Sequence, residues 1–117
     1  MAKVRIYHNP RCSKSRQTLA LLEEGGHEVE VVLYLDDPPA PADLDRMLTA
    51  LGREPLTLIR TKEARFAELG LKRDDERPRA EWLRLMHENP VLIERPLVTS
   101  GDAVALGRPP ESVLEIL

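Results

Sequence analysis

Apolar and polar positions alternate from Lys3 to His8 (KVRIYH) and stop at Asn9-Pro10, which predicts a short strand closed by a turn. From Ser13 to Glu24 the period lengthens to that of a helix, with Leu19 and Leu22 on one face and Gly25-Gly26 halting it. Glu28 to Leu35 (EVEVVLYL) carries the strongest strand pattern in the chain. A strand, a helix and a second strand in this order predict a βαβ unit, with parallel strands and a right-handed crossover.

The punctuation DDPPAP then opens a clean amphipathic helix over Ala42 to Leu51, with Leu44, Met47, Leu48 and Leu51 at i, i+3, i+4 and i+7. Two further short helical pieces are expected at Pro55 to Arg60 and Lys62 to Leu69. A longer helix is expected from Arg79 to Asn89, with Trp82, Leu83 and Met86 inward. The charged run RDDERPR before it reads as a solvated connector. In the last third the period returns to two. Leu97-Val98-Thr99, a Ser-Gly-Asp turn and Ala103 to Leu106 predict a β-hairpin. Pro109-Pro110 then starts a final helix from Glu111 to Leu117. The layout is an α/β fold: βαβ, a helical insert at about 41–90, then ββα, all around one mixed sheet in a single domain over 1–117.

Composition narrows the class. At 117 residues the chain fits one domain, and a mean hydropathy of -0.34 with 32% charged residues is that of a soluble globular protein. Aromatics are only 3%, which argues against modules that stack nucleic-acid bases on exposed rings. A net charge of -3 gives no electrostatic reason to expect a duplex or an anionic membrane as partner. No run approaches the length of a membrane span, and MAKVRIYHNP lacks a signal peptide's apolar core, so a reducing cytoplasm is the expected compartment.

One cysteine excludes an internal disulfide framework and any cysteine-rich zinc site. A lone thiol is often an inert buried residue. Cys12, however, lies in HNPRCSKSR between the first strand and the first helix, where unpaired helix amides face it. Arg11, Lys14 and Arg16 add positive charge, and His8 ends the strand beside the loop. All of these favour the thiolate, so a reactive cysteine is the expected reading. Ser15 replaces the second cysteine of a C-x-x-C pair, so a redox cycle must borrow its second thiol from another molecule. A phosphatase loop would need Arg at position 18, which is Thr. His27 and His87 read as surface histidines rather than as bases, and His8 with Cys12 falls short of a zinc ligand set.

HNPRCSKSR, VVLYL before a Pro-Pro turn, Arg60 after a short apolar run, NPVLIERPLV and GRPPESVLEIL together resemble the glutaredoxin-dependent arsenate reductases. The resemblance runs over essentially the whole chain. Ser13-Lys14 stands where those reductases usually carry Gly-Thr, which resembles a shorter sister group of the family. The resemblance implies a thioredoxin-like fold with a helical insert, and a cis peptide before Pro96 that brings Arg95 alongside Cys12. It also implies Cys12 as nucleophile on arsenate, His8 and Ser15 as supports of the thiolate, and Arg60, Arg95 and Arg108 as holders of the oxyanion. Glutathione would be the co-substrate and glutaredoxin the partner, with no metal or bound cofactor. Two other readings remain open at this level. One is a redox regulator of the Spx type contacting RNA polymerase, and the other a monothiol oxidoreductase with a different substrate.

Overall fold

The computed structural model describes residues 3–117, and its contacts divide them into two compact units, one of 3–37 with Arg95–Leu117 and one of Pro38–Glu94. The first unit holds a four-stranded mixed sheet in the order β2-β1-β3-β4. Strands β1 (Lys3–His8) and β2 (Glu28–Leu33) run parallel, joined by helix α1 (Ser13–Glu24). Strand β3 (Leu97–Ser100) pairs antiparallel with β1 and with β4 (Ala103–Leu106). The βαβ…ββα order expected from the pattern is the one observed.

One face of this sheet is closed by α1 and by the 3-10 turns of Pro110–Ile116, because alternate strand residues and one stripe of α1 are apolar. Val4, Ile6, Leu22, Val98, Ala105 and Val113 form the core, with Leu19, Val29 and Ile116 packed against it. The hairpin turns on Gly101, whose φ of 60° suits the first central position of a two-residue primed turn.

The second unit carries α2 (Pro41–Leu51), α3 (Ala64–Glu68) and α4 (Arg79–Glu88), with 3-10 turns at Pro55–Leu58 and Pro90–Leu92. Leu44, Met47 and Leu48 of α2 are buried, as are Trp82, Leu83, Leu85 and Met86 of α4, and these two helices pack together. This unit spans the stretch expected as a helical insert.

Three expectations need correction. The second strand stops at Leu33 rather than Leu35, since β1 ends at His8 and offers no further partner; the Asp36 and Asp37 amides instead donate to the Leu33 carbonyl. The piece expected as helix over Pro55 to Arg60 is 3-10 only to Leu58. Ile59 then bridges Ile93, and Arg60 N–H donates to the Leu92 carbonyl at 2.7 Å. The final helix is 3-10 throughout, over Pro110–Ile116. Among the described residues no helix is long and apolar enough to cross a membrane.

Candidate active site

The loop Asn9–Cys12 leaves the end of β1, and Cys12 is the N-cap of α1 with extended backbone (φ -95°, ψ 122°). The loop is fastened by its own backbone and by short polar side chains. Cys12 N–H donates to the Asn9 carbonyl at 3.0 Å, Arg11 N–H to Asn9 Oδ1 at 3.0 Å, and Asn9 N–H to Ser15 Oγ at 3.0 Å. These bonds curl the chain so that the thiol faces the first turn of the helix it caps.

Cys12 is a free, half-buried thiol. Burial pushes it up, but the Ser15 amide, the charge and hydrogen bonding of Arg95, and the Lys14 amide outweigh that cost and hold it below its ordinary value. The lowering follows from the N-cap position: first-turn amides have no helical acceptor, and a thiolate supplies one. Arg95 arrives from the turn before β3, where the Arg95-Pro96 peptide is cis, as the resemblance implied. The Arg108-Pro109 peptide, which no sequence feature marks, is cis as well.

The remaining candidates divide. His8 is buried and its Nδ1 lies 2.6 Å from Ser15 Oγ. Burial and the charge of Arg16 push the imidazole down, against a weaker opposing pull from Glu23. The hydrogen bond of His8 thus goes to Ser15, in the first turn of the helix that Cys12 caps. Ser15 likewise spends its hydroxyl on His8 and Asn9; it is the Ser15 backbone N–H that acts on the sulfur. Arg108 is exposed and donates from Nη1 to the Arg95 carbonyl at 3.0 Å, which ties the two arginine turns together. Arg60 lies in the second unit and pairs there with Glu94 at 3.2 Å and Glu63 at 3.4 Å. It is a neutralised fork in this structure. Of the other histidines, His87 is not a plain surface residue, since it is half-buried with Nδ1 2.9 Å from the Pro39 carbonyl.

Sequence reasoning missed two residues that build the site. Asn9 marks only a turn in the sequence, although its backbone and side chain together fasten the nucleophile loop. Gly107 carries no local signal of its role. Its N–H donates to the Pro96 carbonyl at 2.9 Å, and a Cβ there would stand 2.5 Å from Thr18 Oγ1 and 2.8 Å from Pro96 Cγ. The absent side chain lets the Pro96 turn close on α1. Gly107→Ala is therefore expected to destabilise the fold by about 1–3 kcal/mol through overpacking. A lowered urea midpoint at unchanged slope checks this, and a midpoint equal to wild type contradicts it.

Among the described residues no group of three or more His, Cys, Asp or Glu is arranged to hold a metal ion. What the site offers is a stabilised thiolate, inward-facing amides and an arginine fork at one helix start, a setting suited to a nucleophilic sulfur and an anion.

Known proteins resemble this chain throughout its length. A sequence profile described as the ArsC family matches residues 7–116. The arsenate reductase of Rhizobium meliloti is 47% identical over 114 residues, covering 97% of this chain and 81% of its own. Protein YfgD of Escherichia coli, which is uncharacterised, is 48% identical over 116 residues and covers 98% and 97%. The solved structure of an arsenate reductase from Vibrio cholerae superposes with a TM-score of 0.93 at 45% identity, covering 99% of this chain and 98% of that one. The four-stranded mixed sheet is accordingly the thioredoxin-like sheet of these proteins, and the chain belongs to the ArsC family.

Proposed function

We propose that this protein is an enzyme that reduces arsenate to arsenite through Cys12, with glutathione and glutaredoxin as the source of electrons. The observation that carries the reading is the placement of Arg95 beside a thiol already lowered by helix amides. The names of the relatives at 42–47% identity support arsenate as the oxyanion.

The chemistry follows from the residues. Cys12 thiolate attacks arsenic and forms an S–As bond as one oxygen leaves as water, after protonation. Arg95, with Arg108 anchored behind it, holds the remaining oxygens and their charge, while the first-turn amides of α1 face the reacting sulfur. A glutathione thiolate then attacks the Cys12 sulfur. The S–S bond forms and the S–As bond breaks with its electron pair going to arsenic, which leaves as arsenite. Glutaredoxin reduces the Cys12–glutathione disulfide and restores the thiol. The chain has one cysteine, so both reducing thiols come from outside it. Arg60 is paired with Glu63 and Glu94 within the second unit, and the reading does not depend on it.

The test is arsenate-dependent oxidation of glutathione in the presence of glutaredoxin, with arsenite measured as product. Saturable turnover is expected, together with protection of Cys12 from alkylation by arsenate. Alkylation that is rapid but indifferent to arsenate, with no arsenite formed, overturns the substrate assignment.

A further inference from the structure

Arg16 has no part in the chemistry above, yet it touches the nucleophile loop twice. Its backbone N–H donates to the Cys12 carbonyl at 3.0 Å, the first hydrogen bond of α1. Its guanidinium turns back and donates from Nη1 to the Pro10 carbonyl at 2.9 Å. Pro10 has no N–H, so this carbonyl is its single backbone hydrogen-bonding group. The other ties of the loop all run through Asn9, whose N–H, carbonyl and side chain are each engaged. Asn9 thus fixes where the loop begins. Pro10 and Arg11, the two residues leading into the thiol, are both exposed, and the guanidinium closes over the first of them.

We propose that Arg16 is a positioning residue for Cys12: its guanidinium clamps the Pro10 carbonyl and holds the loop in the conformation that aims the sulfur at the first turn of α1. Without the clamp, residues 10–11 swing more freely between the anchored Asn9 and the helix. The sulfur then spends less time where the Ser15 and Lys14 amides and Arg95 meet it. Arg16 acts one step behind the thiol, through the loop rather than on the substrate. Arg11 and Lys14, the other exposed cations of the segment, have no such bond to the loop among the described hydrogen bonds.

The inference rests on Cys12 as the reactive group but not on arsenate as its substrate, so the experiment uses two small electrophiles. Wild type, Arg16→Gln and Arg16→Lys are alkylated at pH 7 with neutral iodoacetamide and with anionic iodoacetate, and thiolate absorbance near 240 nm is followed in parallel. Arg16→Gln is expected to slow both reagents by the same factor, about three- to tenfold, the size of effect expected from the net loss of one solvent-exposed hydrogen bond. Its thiolate absorbance at pH 7 falls with the rates. Arg16→Lys keeps one donor within reach of the carbonyl and restores the larger part of both rates, since the bond observed uses a single nitrogen. A loss confined to iodoacetate overturns the proposal, because it identifies Arg16 as a charge that attracts anions. So does an unchanged iodoacetamide rate in Arg16→Gln, or a Lys variant as slow as Gln. If the two reagents slow together while wild type forms no arsenite, the clamp stands and the arsenate assignment alone fails.

Discussion

Replacing Cys12 by Ser reduces arsenate-dependent glutathione oxidation to the background of the uncatalysed mixture. Serine keeps a similar shape, but its hydroxyl ionises far less readily than the Cys12 thiol, which amides and Arg95 hold below its ordinary value. The serine also cannot form the S–S bond that sends two electrons to arsenic. No second cysteine exists to substitute for it. The expected loss is at least about a thousandfold, consistent with removal of a covalent nucleophile. Turnover surviving at more than a few per cent would show that the thiol is not the group attacking arsenic.

Changing Arg95 separates two roles that the wild-type residue combines. Its positive charge and hydrogen bonding lower the thiol, and its planar fork suits two oxygens of a tetrahedral anion. Arg95→Gln removes both. The thiol pKa rises, so the pH profile of alkylation shifts to higher pH and the rate at pH 6–7 falls with the thiolate fraction. Arg95→Lys keeps the charge and loses the fork. Alkylation at pH 7 then stays within a few-fold of wild type, while kcat/KM for arsenate drops about a hundredfold, near 2.7 kcal/mol and inside the range of one or two charged hydrogen bonds. Equal losses in both assays for the Lys variant would place Arg95 in the support of the thiol alone.

How far the sequence reached depended on whether a feature is local. The bounds of β1 and α1 and the Gly101 hairpin were legible because each is marked by period and by its own breakers, Asn9-Pro10, Gly25-Gly26 and Ser100-Gly101-Asp102. The end of β2 was not. EVEVVLYL keeps its strand character through Leu35, but a strand lasts only as long as its neighbour, and β1 has already turned away at His8. Ile59 escaped for the same reason, since its partner Ile93 lies far along the chain. Within the site, Cys12 was legible from its helix-start position and charged neighbours. The partner of His8 was not, because either Cys12 or Ser15 stood within plausible reach of it in the sequence and only packing selects the 2.6 Å contact with Ser15. Gly107 left no local mark, since its role is to make room for Thr18 and Pro96 from distant segments.

The strand order β2-β1-β3-β4 leaves β2 and β4 with one hydrogen-bonded neighbour each, and gives β1 a neighbour on both sides. On β2, Val31 and Leu33 are each 44% exposed. In native-state amide exchange the outer strands accordingly lose protection through small local fluctuations, while β1 amides exchange only when the sheet opens as a whole. The nucleophile loop grows directly out of the last residue of β1. Fraying at either margin of the sheet therefore leaves the root of that loop in place, and the chemistry of Cys12 is tied to cooperative unfolding of the sheet rather than to the motions of its edges.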